Sequence, residues 1–491
     1  MPPHHPDAPT PTSCSTRPGA ADPALMHTHL RTRPPLVASA SGLVLNFPDK
    51  GPIIDATGGA TAAIIGHGNA EVAAAVAAQM ARLSYCHTLA YTNTPAEDLA
   101  GHLVDAANAG LGRDDDEGEG GGGGGGGGGK SSRFSRAYLV GSGSEAVESA
   151  MKLARQYFWE RDGETTQRMH YIARRQSYHG NTLGAMSLTH APGRTAPYGG
   201  IALGNVSHVG PCYAYQYQRA GETDEAYVAR LAGELDEEFR RVGGEKVVAF
   251  VGETVAGSIA GCVPPVRGYW RALKEVCERY GALLILDEVM CGMGRTGAVF
   301  AWQEEGVVPD IVAVGKGLGG GYIPIAAVLA QRRIMEALEQ GSGSVVQSYT
   351  FQAHAVASAA ALAVQRIVKR EGLVENSKRM GEVLEKLLVE RLGEKRFVGN
   401  VRGRGCFYAV EFVKDKKTKE SLDPALKFAF KIQAKALDMG VHLYPMSGTV
   451  DGKRGDHILL APAITVDEEM LTKIVGVFEA AYDAAEKEIA I

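Results

Sequence analysis

The chain has 491 residues, of which 45% are hydrophobic and 22% are charged, a balance typical of a folded enzyme and not of a disordered chain. Its 51 Lys and Arg residues stand against 56 Asp and Glu residues, and the formal net charge of -5 leaves no basic surplus for nucleic acid or an anionic membrane. At about 150 residues per domain, the length allows roughly three domains and a sizeable core.

The cysteine pattern and the N-terminal sequence favour a cytoplasmic protein. Seven scattered cysteines form no CxxC pair, which argues against a disulfide framework and a metal site. The first residues lack the basic-then-apolar order of a secretory signal, and no apolar run approaches the ~18 residues of a membrane span. Mitochondrial import is left open by Arg17, Arg31 and Arg33.

The N-terminal part of the chain begins with a tail and continues into short strands and two helices. Residues 1–24 are rich in Pro, Ser, Thr and Ala and are predicted to be disordered. Residues 25–70 contain β-prone runs broken by Gly, Asp and Pro, and are predicted to pack with a small C-terminal domain. A helix is predicted after an Asn69 cap, and a second one, AEDLAGHLVDAA, after an aromatic loop.

Residues 112–133 form a low-complexity tract in which acidic residues run into polyglycine. Because ordering such a tract costs much backbone entropy, we expect a disordered and dispensable surface insertion. A glycine-rich phosphate cradle is disfavoured, since no helix start follows the glycines and they have no positional pattern.

A strand, a Gly-Ser turn and a helix are predicted in the sequence SRAYLVGSGSEAVESAMKLARQYFW. Ser142 and Glu145 have the S-x-x-E spacing of a capping box, and apolar residues follow at helical spacing. The unpaired N–H groups and positive dipole end of such a turn suit a phosphate. An ordinary capped helix fits the pattern at least as well.

Three apolar runs that end in an ionisable residue predict buried strands of a parallel sheet. One ends in Glu253, the run ALLIL precedes Asp287, and the run IVAVG precedes Lys316. In such sheets ligands bind beyond the carboxyl ends of the strands, so the acid and the amine are expected to face one ligand. Tyr178 and His179 follow another predicted strand and are either a polar loop or part of that site.

The rest of the chain predicts a smaller α+β domain. A long helix, HAVASAAALAVQRIVKREG, is followed by strands in RGRGCFYAVEFV, a helix in PALKFAFKIQAKALDMG, a strand pair in VHLYPM and HILLAPA, and a closing helix. We assign residues 71–350 to a large ligand-binding domain and residues 351–491 to this small one. The alternation of strands and helices before it predicts the α/β class.

The glycines before and around Lys316 match the G-x-G-x-x-G motif twice, starting at Gly292 and Gly315. The dinucleotide-binding function of that motif is nevertheless disfavoured. That motif requires a helix at the glycines, whereas the sequence after the second match predicts a strand.

A lysine at a buried strand end favours a Schiff-base former, because desolvation keeps its amine neutral. If the aldehyde is pyridoxal phosphate, the site also needs an acid, an anion site and an aromatic face. Asp287, the Ser142–Ser144 turn and Tyr178 offer all three.

Five segments of the chain carry a family resemblance. They are LVGSGSEAVESAMKLAR, RRQSYHGNTLGAMSL, LILDEVMCGMGRTG, PDIVAVGKGLGGGYIPIAAV and SYTFQAHAVASAAALAVQ. Together they resemble the class III aminotransferases, pyridoxal-phosphate enzymes of fold type I, from about residue 35 to the C-terminus. The resemblance implies a mostly parallel sheet in the large domain, a smaller α+β domain, and a homodimer with active sites at the interface.

The resemblance also implies a role for each candidate residue. Lys316 is expected to hold pyridoxal phosphate as an internal aldimine and to move the proton, while Asp287 pairs with the pyridine nitrogen. Thr350 is expected to reach the phosphate bound by the partner subunit. The other cofactor-binding candidates are Ser142, Gly143 and Ser144 at the phosphate, Val289 and Tyr178 at the ring faces, and His179 and Glu253 around them.

Three residues depart from the family pattern. Met290 replaces a glutamine that many members have near the cofactor's phenolic oxygen, so that hydrogen bond comes from elsewhere or is absent. Ala355 replaces a proline, which we expect to be a small structural change. Leu459 stands where ornithine- and GABA-type members carry an arginine, which argues against those substrates.

The predicted function is transfer of an amino group from an amine or amino acid to a 2-oxo acid or other carbonyl acceptor, by a ping-pong mechanism. Tyr85 and Arg194 are candidate substrate contacts, Arg194 as a carboxylate partner, with interface packing an equal alternative. A decarboxylase, aminomutase or racemase of the same fold would use the same Lys316 and Asp287. A catalytically silent binding protein is disfavoured, since it needs neither the lysine, the acid nor the phosphate turn.

Overall fold

The computed structural model describes residues 24–111 and 132–489. Residues 1–23 of the predicted tail and residues 112–131 of the predicted polyglycine insertion lie outside these residues. Arg133, the last residue of the predicted insertion, belongs to the described chain. Its carbonyl accepts a hydrogen bond from Arg332 N–H at 2.8 Å, and its Nη1 donates to the carbonyl of Leu111 at 3.3 Å.

Strands and helices alternate along the described chain. The strands are β1 (Ser39–Ser41), β2 (Val44–Phe47), β3 (Gly51–Asp55), β4 (Phe134–Val140), β5 (His170–Arg174), β6 (Val206–Val209), β7 (Val247–Glu253), β8 (Leu283–Asp287), β9 (Ile311–Val314), β10 (Ala326–Gln331), β11 (Val398–Gly403), β12 (Tyr408–Phe412), β13 (Val441–His442), β14 (Tyr444–Ser447) and β15 (Asp456–Leu460). The helices are α1 (Gly58–Thr61), α2 (Ala70–Arg82), α3 (Thr94–Asn108), α4 (Gly143–Asp162), α5 (Leu183–Leu188), α6 (Pro192–Thr195), α7 (Ala214–Tyr217), α8 (Asp224–Val242), α9 (Tyr269–Arg279), α10 (Arg332–Gln340), α11 (Ala355–Arg370), α12 (Leu373–Leu392), α13 (Phe428–Asp438) and α14 (Glu468–Glu486). Of the helices in residues 24–111 and 132–489, none is both long enough and apolar enough to cross a membrane.

The central sheet has seven strands in the order β4-β10-β9-β8-β7-β5-β6. The run from β9 to β6 is parallel, whereas β10 is antiparallel to both of its neighbours, β4 and β9. A mostly parallel sheet joined by helices confirms the expected α/β fold.

Both faces of this sheet are buried, as the unbroken apolar runs predicted. Along β8, Leu284 and Leu286 belong to one core, which also contains side chains of α8 and α9. Leu283 and Ile285 belong to the other core, with side chains of α4 and α10. Because successive side chains of a strand point to opposite faces, each apolar run supplies both cores.

The register of the sheet aligns the carboxyl ends of β7, β8 and β9. Glu253 pairs with Asp287 across the first two strands, and Asp287 pairs with Ala313 across the second two. Lys316 follows Ala313 by three positions in the chain. The prediction that the acid and the amine end neighbouring strands is therefore confirmed.

Two smaller sheets have the orders β1-β2-β3-β13 and β11-β12-β15-β14. The predicted strand pair in VHLYPM and HILLAPA is only half right. β14 pairs with β15, but β13 runs parallel to β3 and joins the N-terminal sheet. Leu443, fully buried between β13 and β14, lies where the chain passes from one sheet to the other.

Helix α11 lies against elements of the large domain, although the predicted boundary at residue 351 assigns it to the small one. It packs on α2 and α3, and Gln365 Nε2 donates to the carbonyls of Gly317 and Leu318, both at 3.0 Å. These bonds support the turn that begins at Lys316. The domain boundaries themselves stay a prediction.

Candidate active site

Asp287, at the end of β8, has both carboxylate oxygens engaged. Oδ2 accepts a hydrogen bond from His179 Nδ1 at 2.8 Å, and Oδ1 accepts one from Val289 N–H at 3.0 Å. Asp287 is 5% exposed and His179 is 3% exposed. Since each carboxylate oxygen can accept two hydrogen bonds, Asp287 keeps room for one more donor while these partners fix its orientation.

Lys316 occupies a backbone conformation that L-residues rarely adopt. It follows β9 after Gly315 and has φ +41° at the start of a short 3-10 turn. A left-handed non-glycine residue is strained, and such strain persists at functional sites where the surroundings impose it. Desolvation lowers the pKa of the Lys316 amine, while the Asp287 and Glu253 carboxylates act to raise it.

Glu253, at the end of β7, accepts hydrogen bonds from the backbones of two loops. Its Oε1 accepts a hydrogen bond from Tyr178 N–H at 3.2 Å, and its Oε2 accepts one from Gly257 N–H at 2.7 Å. Burial raises the pKa of this carboxyl, and the nearby His179 partly offsets that effect. Glu253 therefore positions the loop that carries Tyr178 and His179.

The turn that begins α4 has one contact that differs from the predicted capping box. Ser142 Oγ accepts from Glu145 N–H at 3.2 Å as expected, but Glu145 Oε2 accepts from Gly141 N–H at 2.7 Å instead of from Ser142. Gly141 leaves room for this reach, because a Cβ there would lie 3.1 Å from Oε2. Within the described chain, the N–H groups of Gly143 and Ser144 have no acceptor, as is usual for the first turn of a helix.

Glycines bring this turn close to Val289 and to the lysine loop. A Cβ on Gly143 would lie 2.7 Å from Val289 Cγ1, and a Cβ on Gly315 would lie 3.3 Å from the same atom. A Cβ on Gly180, just after His179, would lie 2.6 Å from Ser144 Oγ. At the two contacts under 3.0 Å, Val289 or Ser144 would have to shift to admit a Cβ, so glycine allows these backbones to approach so closely.

These contacts unite most of the candidate residues in one place, which we call the sheet-edge cluster. Its members are Ser142, Gly143, Ser144, Tyr178, His179, Glu253, Asp287, Val289 and Lys316. Each comes from a strand end of the central sheet or from a loop packed on it.

Arg194, on α6, lies beside the sheet-edge cluster. Its Cζ is 5.4 Å from the centre of the Tyr178 ring, and its Nη2 is 3.6 Å from Met446 Sδ. Burial raises the pKa of Tyr178, and the Arg194 charge opposes that rise. Arg194 also contributes to the lowered pKa of Lys316, so its charge reaches the amine.

Tyr85 and Thr350 contact each other instead of the sheet-edge cluster. Tyr85 Oη donates to the carbonyl of Thr350 at 3.0 Å, and its ring meets that of Phe351 at 6.0 Å. Tyr85 is 37% exposed and Phe351 is 64% exposed. We call these three residues the Tyr85 patch; in the described chain, no hydrogen bond or ring contact joins it to the sheet-edge cluster.

The three residues that depart from the family pattern lie in a small apolar core and at the start of a helix. Met290 and Leu459 belong to one small apolar core, to which Tyr444 also contributes. Ala355 is the first residue of α11, after an N-cap at His354. Because a proline at that position would donate no hydrogen bond within the helix either, alanine there is a small change, as expected.

Several residues that hold the site were not among the sequence candidates. Thr189 Oγ1 accepts from His179 N–H at 2.8 Å. The buried Glu288 accepts from Ala301 N–H and Trp302 N–H, both at 2.7 Å, and burial raises the pKa of its carboxyl to about 7. The position of Glu288 next to Asp287 in the sequence could have indicated its role, whereas nothing in the sequence singles out Thr189.

Comparison with known proteins decides the family. Residues 28–482 match the family Aminotransferase class-III. The chain belongs to the class III aminotransferases. These enzymes are pyridoxal-phosphate-dependent, and the expected fold type, reaction class and cofactor are thereby confirmed.

Relatives of this class III aminotransferase cover nearly its whole length. An uncharacterised aminotransferase of Schizosaccharomyces pombe is 46% identical over 451 residues, 92% of this chain and 93% of the relative. A solved transaminase from a study of ancestral reconstruction superposes with a TM-score of 0.85 at 30% identity, covering 95% of this chain and 98% of that one. An amine transaminase of an uncultivated Pseudomonas species, solved in its PLP-bound form, has a TM-score of 0.82 at 29% identity and covers 96% and 99%.

Proposed function

We propose that this class III aminotransferase moves an amino group from an amine or amino-acid donor to a 2-oxo acid or other carbonyl acceptor in two separate half reactions. The observation that carries the proposal is the pairing of a strained, desolvated lysine with a fixed carboxylate at neighbouring strand ends. Lys316 has φ +41°, and Asp287 on the next strand is held by His179 and Val289. A scaffold protein needs neither the strain nor the buried charge.

The sheet-edge cluster suits pyridoxal phosphate at both of its charged ends. The free N–H groups of Gly143 and Ser144 at the start of α4 would hold the phosphate, with the helix dipole favouring the anion. Asp287 retains an acceptor position for the protonated pyridine nitrogen. Val289, packed against Gly143, and the Tyr178 ring would face the two sides of the ring. When bound, the cofactor supplies an electron sink for the electron pair left at the donor carbon.

The residues of the chain have distinct tasks around that group. Desolvation lowers the pKa of Lys316, which raises the fraction of neutral amine that can attack a carbonyl or accept a proton. His179 Nδ1 and Val289 N–H hold the Asp287 carboxylate in a fixed orientation, in which it would pair with the ring nitrogen of the cofactor. Glu253 and Thr189 hold the backbone N–H groups of Tyr178 and His179, and so set the place of both side chains.

We also propose that two copies of the chain form a homodimer in which Thr350 reaches the partner's phosphate and Tyr85 lines the partner's substrate site. The Tyr85 patch supports this, since Thr350 and Phe351 are exposed in the single chain. Leu89 and Tyr91, in the same loop as Tyr85, are 67% and 69% exposed. Large apolar side chains exposed in this loop and beside Tyr85 support an interaction surface. A cytoplasmic location without nucleic-acid partners stays a prediction from composition.

The experiment that tests the proposal separates the two half reactions. Holoprotein is mixed with one amino donor, desalted, and only then given a carbonyl acceptor. We expect one oxo product per site in the first step, a protein that keeps the amino group through desalting, and one aminated product in the second step. Carbon dioxide release would indicate a decarboxylase, loss of donor chirality without oxo product a racemase, and an isomeric amine an aminomutase. Any of these without transfer would contradict the proposal.

A further inference from the structure

Arg194 is a cation without a carboxylate partner next to the sheet-edge cluster. In the described chain its side chain donates only to the thioether of Met446, and its guanidinium lies over the Tyr178 ring. The residue is exposed on the four-residue helix α6. An arginine normally binds planar anions through two parallel hydrogen bonds, and neither contact seen here uses that capacity.

The other arginines around the sheet-edge cluster already bind groups of the protein. Arg174 is 3% exposed, donates to the carbonyl of Glu253 at 2.5 Å and lies over the Trp270 ring. Arg402 is 8% exposed and pairs with Glu411 at 2.5 Å. A substrate entering from solvent can reach neither guanidinium.

Arg295 is excluded for a similar reason. It is 1% exposed, and its Nη1 donates to the carbonyls of Cys406 and Pro462. Of these four arginines, Arg194 alone has a guanidinium that is both exposed and without a strong acceptor.

The surface next to Arg194 is apolar. Tyr178 packs with Ala191, Ile259 and Met446 in one small core, and Tyr444 joins that core to the one that contains Met290 and Leu459. A cation at the rim of an apolar wall suits a ligand with one negative end and a hydrocarbon body. Such a ligand would lie next to the sheet-edge cluster, because the Arg194 guanidinium is 5.4 Å from the Tyr178 ring and Glu253 holds the Tyr178 backbone at the end of β7.

We propose that Arg194 binds the substrate carboxylate, and that the partly exposed rings of Tyr178 and Tyr444, backed by the buried Ile259 and Met446, receive the carbon chain of an amino acid or 2-oxo acid. This inference rests on the proposed function and names the substrate class of the same site. The Tyr178 ring keeps the guanidinium in place, since a cation is attracted to the face of an aromatic ring. Substrates without a carboxylate do not use Arg194.

Two variants and a matched pair of acceptors test the inference. Arg194→Ala removes the guanidinium and Arg194→Lys keeps a charge without the planar fork; Arg271→Ala, at an exposed position of α9, is the control. The acceptors are pyruvate and its neutral analogue methyl pyruvate, each reacted with amino-loaded protein in single-turnover experiments.

We expect Arg194→Ala to lower kcat/KM for pyruvate by about 10- to 100-fold, mainly through KM, and to change that for methyl pyruvate by less than about twofold, since only pyruvate loses a charge-assisted hydrogen bond. Arg194→Lys should retain part of the pyruvate activity, and Arg271→Ala all of it. Equal losses for both acceptors, or none for pyruvate, would overturn the inference.

Binding provides a readout that does not depend on turnover. Propanoate, a carboxylate that cannot react, should bind wild-type holoprotein more tightly than Arg194→Ala in calorimetric titration, by about tenfold. An unchanged dissociation constant would contradict the role of Arg194. If the wild type transfers no amino group to any acceptor, the proposed function fails, and the propanoate comparison still decides the Arg194 inference by itself.

Discussion

The sheet-edge cluster and the Tyr85 patch contrast in how far a single chain completes them. In the cluster, Asp287 is 5% exposed and both of its oxygens have partners, as have both oxygens of Glu253. In the patch, Phe351 is 64% exposed and the carbonyl of Thr350 accepts a hydrogen bond from Tyr85 Oη. Packing of strand ends and glycines completes the contacts of the sheet-edge cluster, whereas the Tyr85 patch exposes apolar side chains to solvent.

Buried charges and exposed apolar side chains indicate different roles. Where the chain buries charges, the cost of desolvation demands partners, so the contacts themselves indicate what a residue does. Where the chain leaves apolar groups exposed, the missing contact is the signal, and it points to a second chain. We therefore expect changes in the cluster to affect chemistry and changes in the patch to affect assembly.

The largest effect is expected from Lys316→Ala. Because this lysine both anchors the cofactor and moves the proton, turnover should fall by at least about 10⁴-fold. Transamination rates and the visible absorbance of the holoprotein measure the loss. Lys378→Ala is the matched control and should behave as wild type. Lys378 is exposed, and its Nζ lies 3.8 Å from Glu304 Oε1. Activity retained by Lys316→Ala would contradict the assignment of Lys316 to the chemistry.

Asp287→Asn should reduce turnover by about 10²- to 10³-fold, since it removes a preorganised charge but keeps the shape. The cofactor should stay bound, which absorbance of the desalted variant checks. Asp438→Asn, at an exposed position, is the control. Near-normal turnover would exclude Asp287 from the chemistry.

The same variant gives a pH prediction. Asp287 raises the pKa of Lys316 against the lowering effect of desolvation, so its removal should lower that pKa further. In apoprotein, the pH midpoint for modification of the Lys316 amine by an acylating reagent should lie below the ordinary lysine value and move lower in Asp287→Asn. A midpoint that moves higher would contradict this assignment.

Phe351→Lys tests the patch. If a second chain covers Phe351, the lysine is buried without a partner at a cost of about 3–5 kcal/mol, and association weakens by more than about 100-fold. Sedimentation at several concentrations measures this, and circular dichroism checks the fold. Val389→Lys, at a position of α12 that is 51% exposed, is the control. Unchanged association would remove the patch from the interface.

Gly143→Ala should have the smallest effect. The added Cβ would lie 2.7 Å from Val289 Cγ1, and overpacking of about 1–3 kcal/mol should weaken cofactor binding by about tenfold. The double variant Gly143→Ala/Val289→Ala should recover part of that loss, as a coupled pair does. Gly101→Ala, where a Cβ would meet no atom within 4 Å, is the control. Additive losses would show that Gly143 and Val289 act independently.

Sequence reasoning was sufficient for features carried by one local pattern. Apolar runs ending in Asp287 and Lys316 predicted two neighbouring strand ends, because burial on both faces of a parallel sheet leaves an unbroken apolar signature. The same holds for the helix start at Ser142, where a short polar residue precedes helical spacing.

Features that depend on distant contacts could not be predicted in this way. Glu145 reaches Gly141 because no side chain obstructs it there, and β13 leaves its predicted partner because β3 offers an edge. The positive φ of Lys316 depends on a turn that Gln365 supports from α11. Each of these is decided by residues that lie far apart in the sequence or in an unexpected register.

The most direct test of the central claim is chemical reduction of the holoprotein. Borohydride treatment followed by digestion and mass spectrometry should find the mass of reduced pyridoxal phosphate on the peptide that contains Lys316, and treatment with an amino donor beforehand should abolish that label. Label on another lysine, or none on a holoprotein that transfers amino groups, would contradict the account.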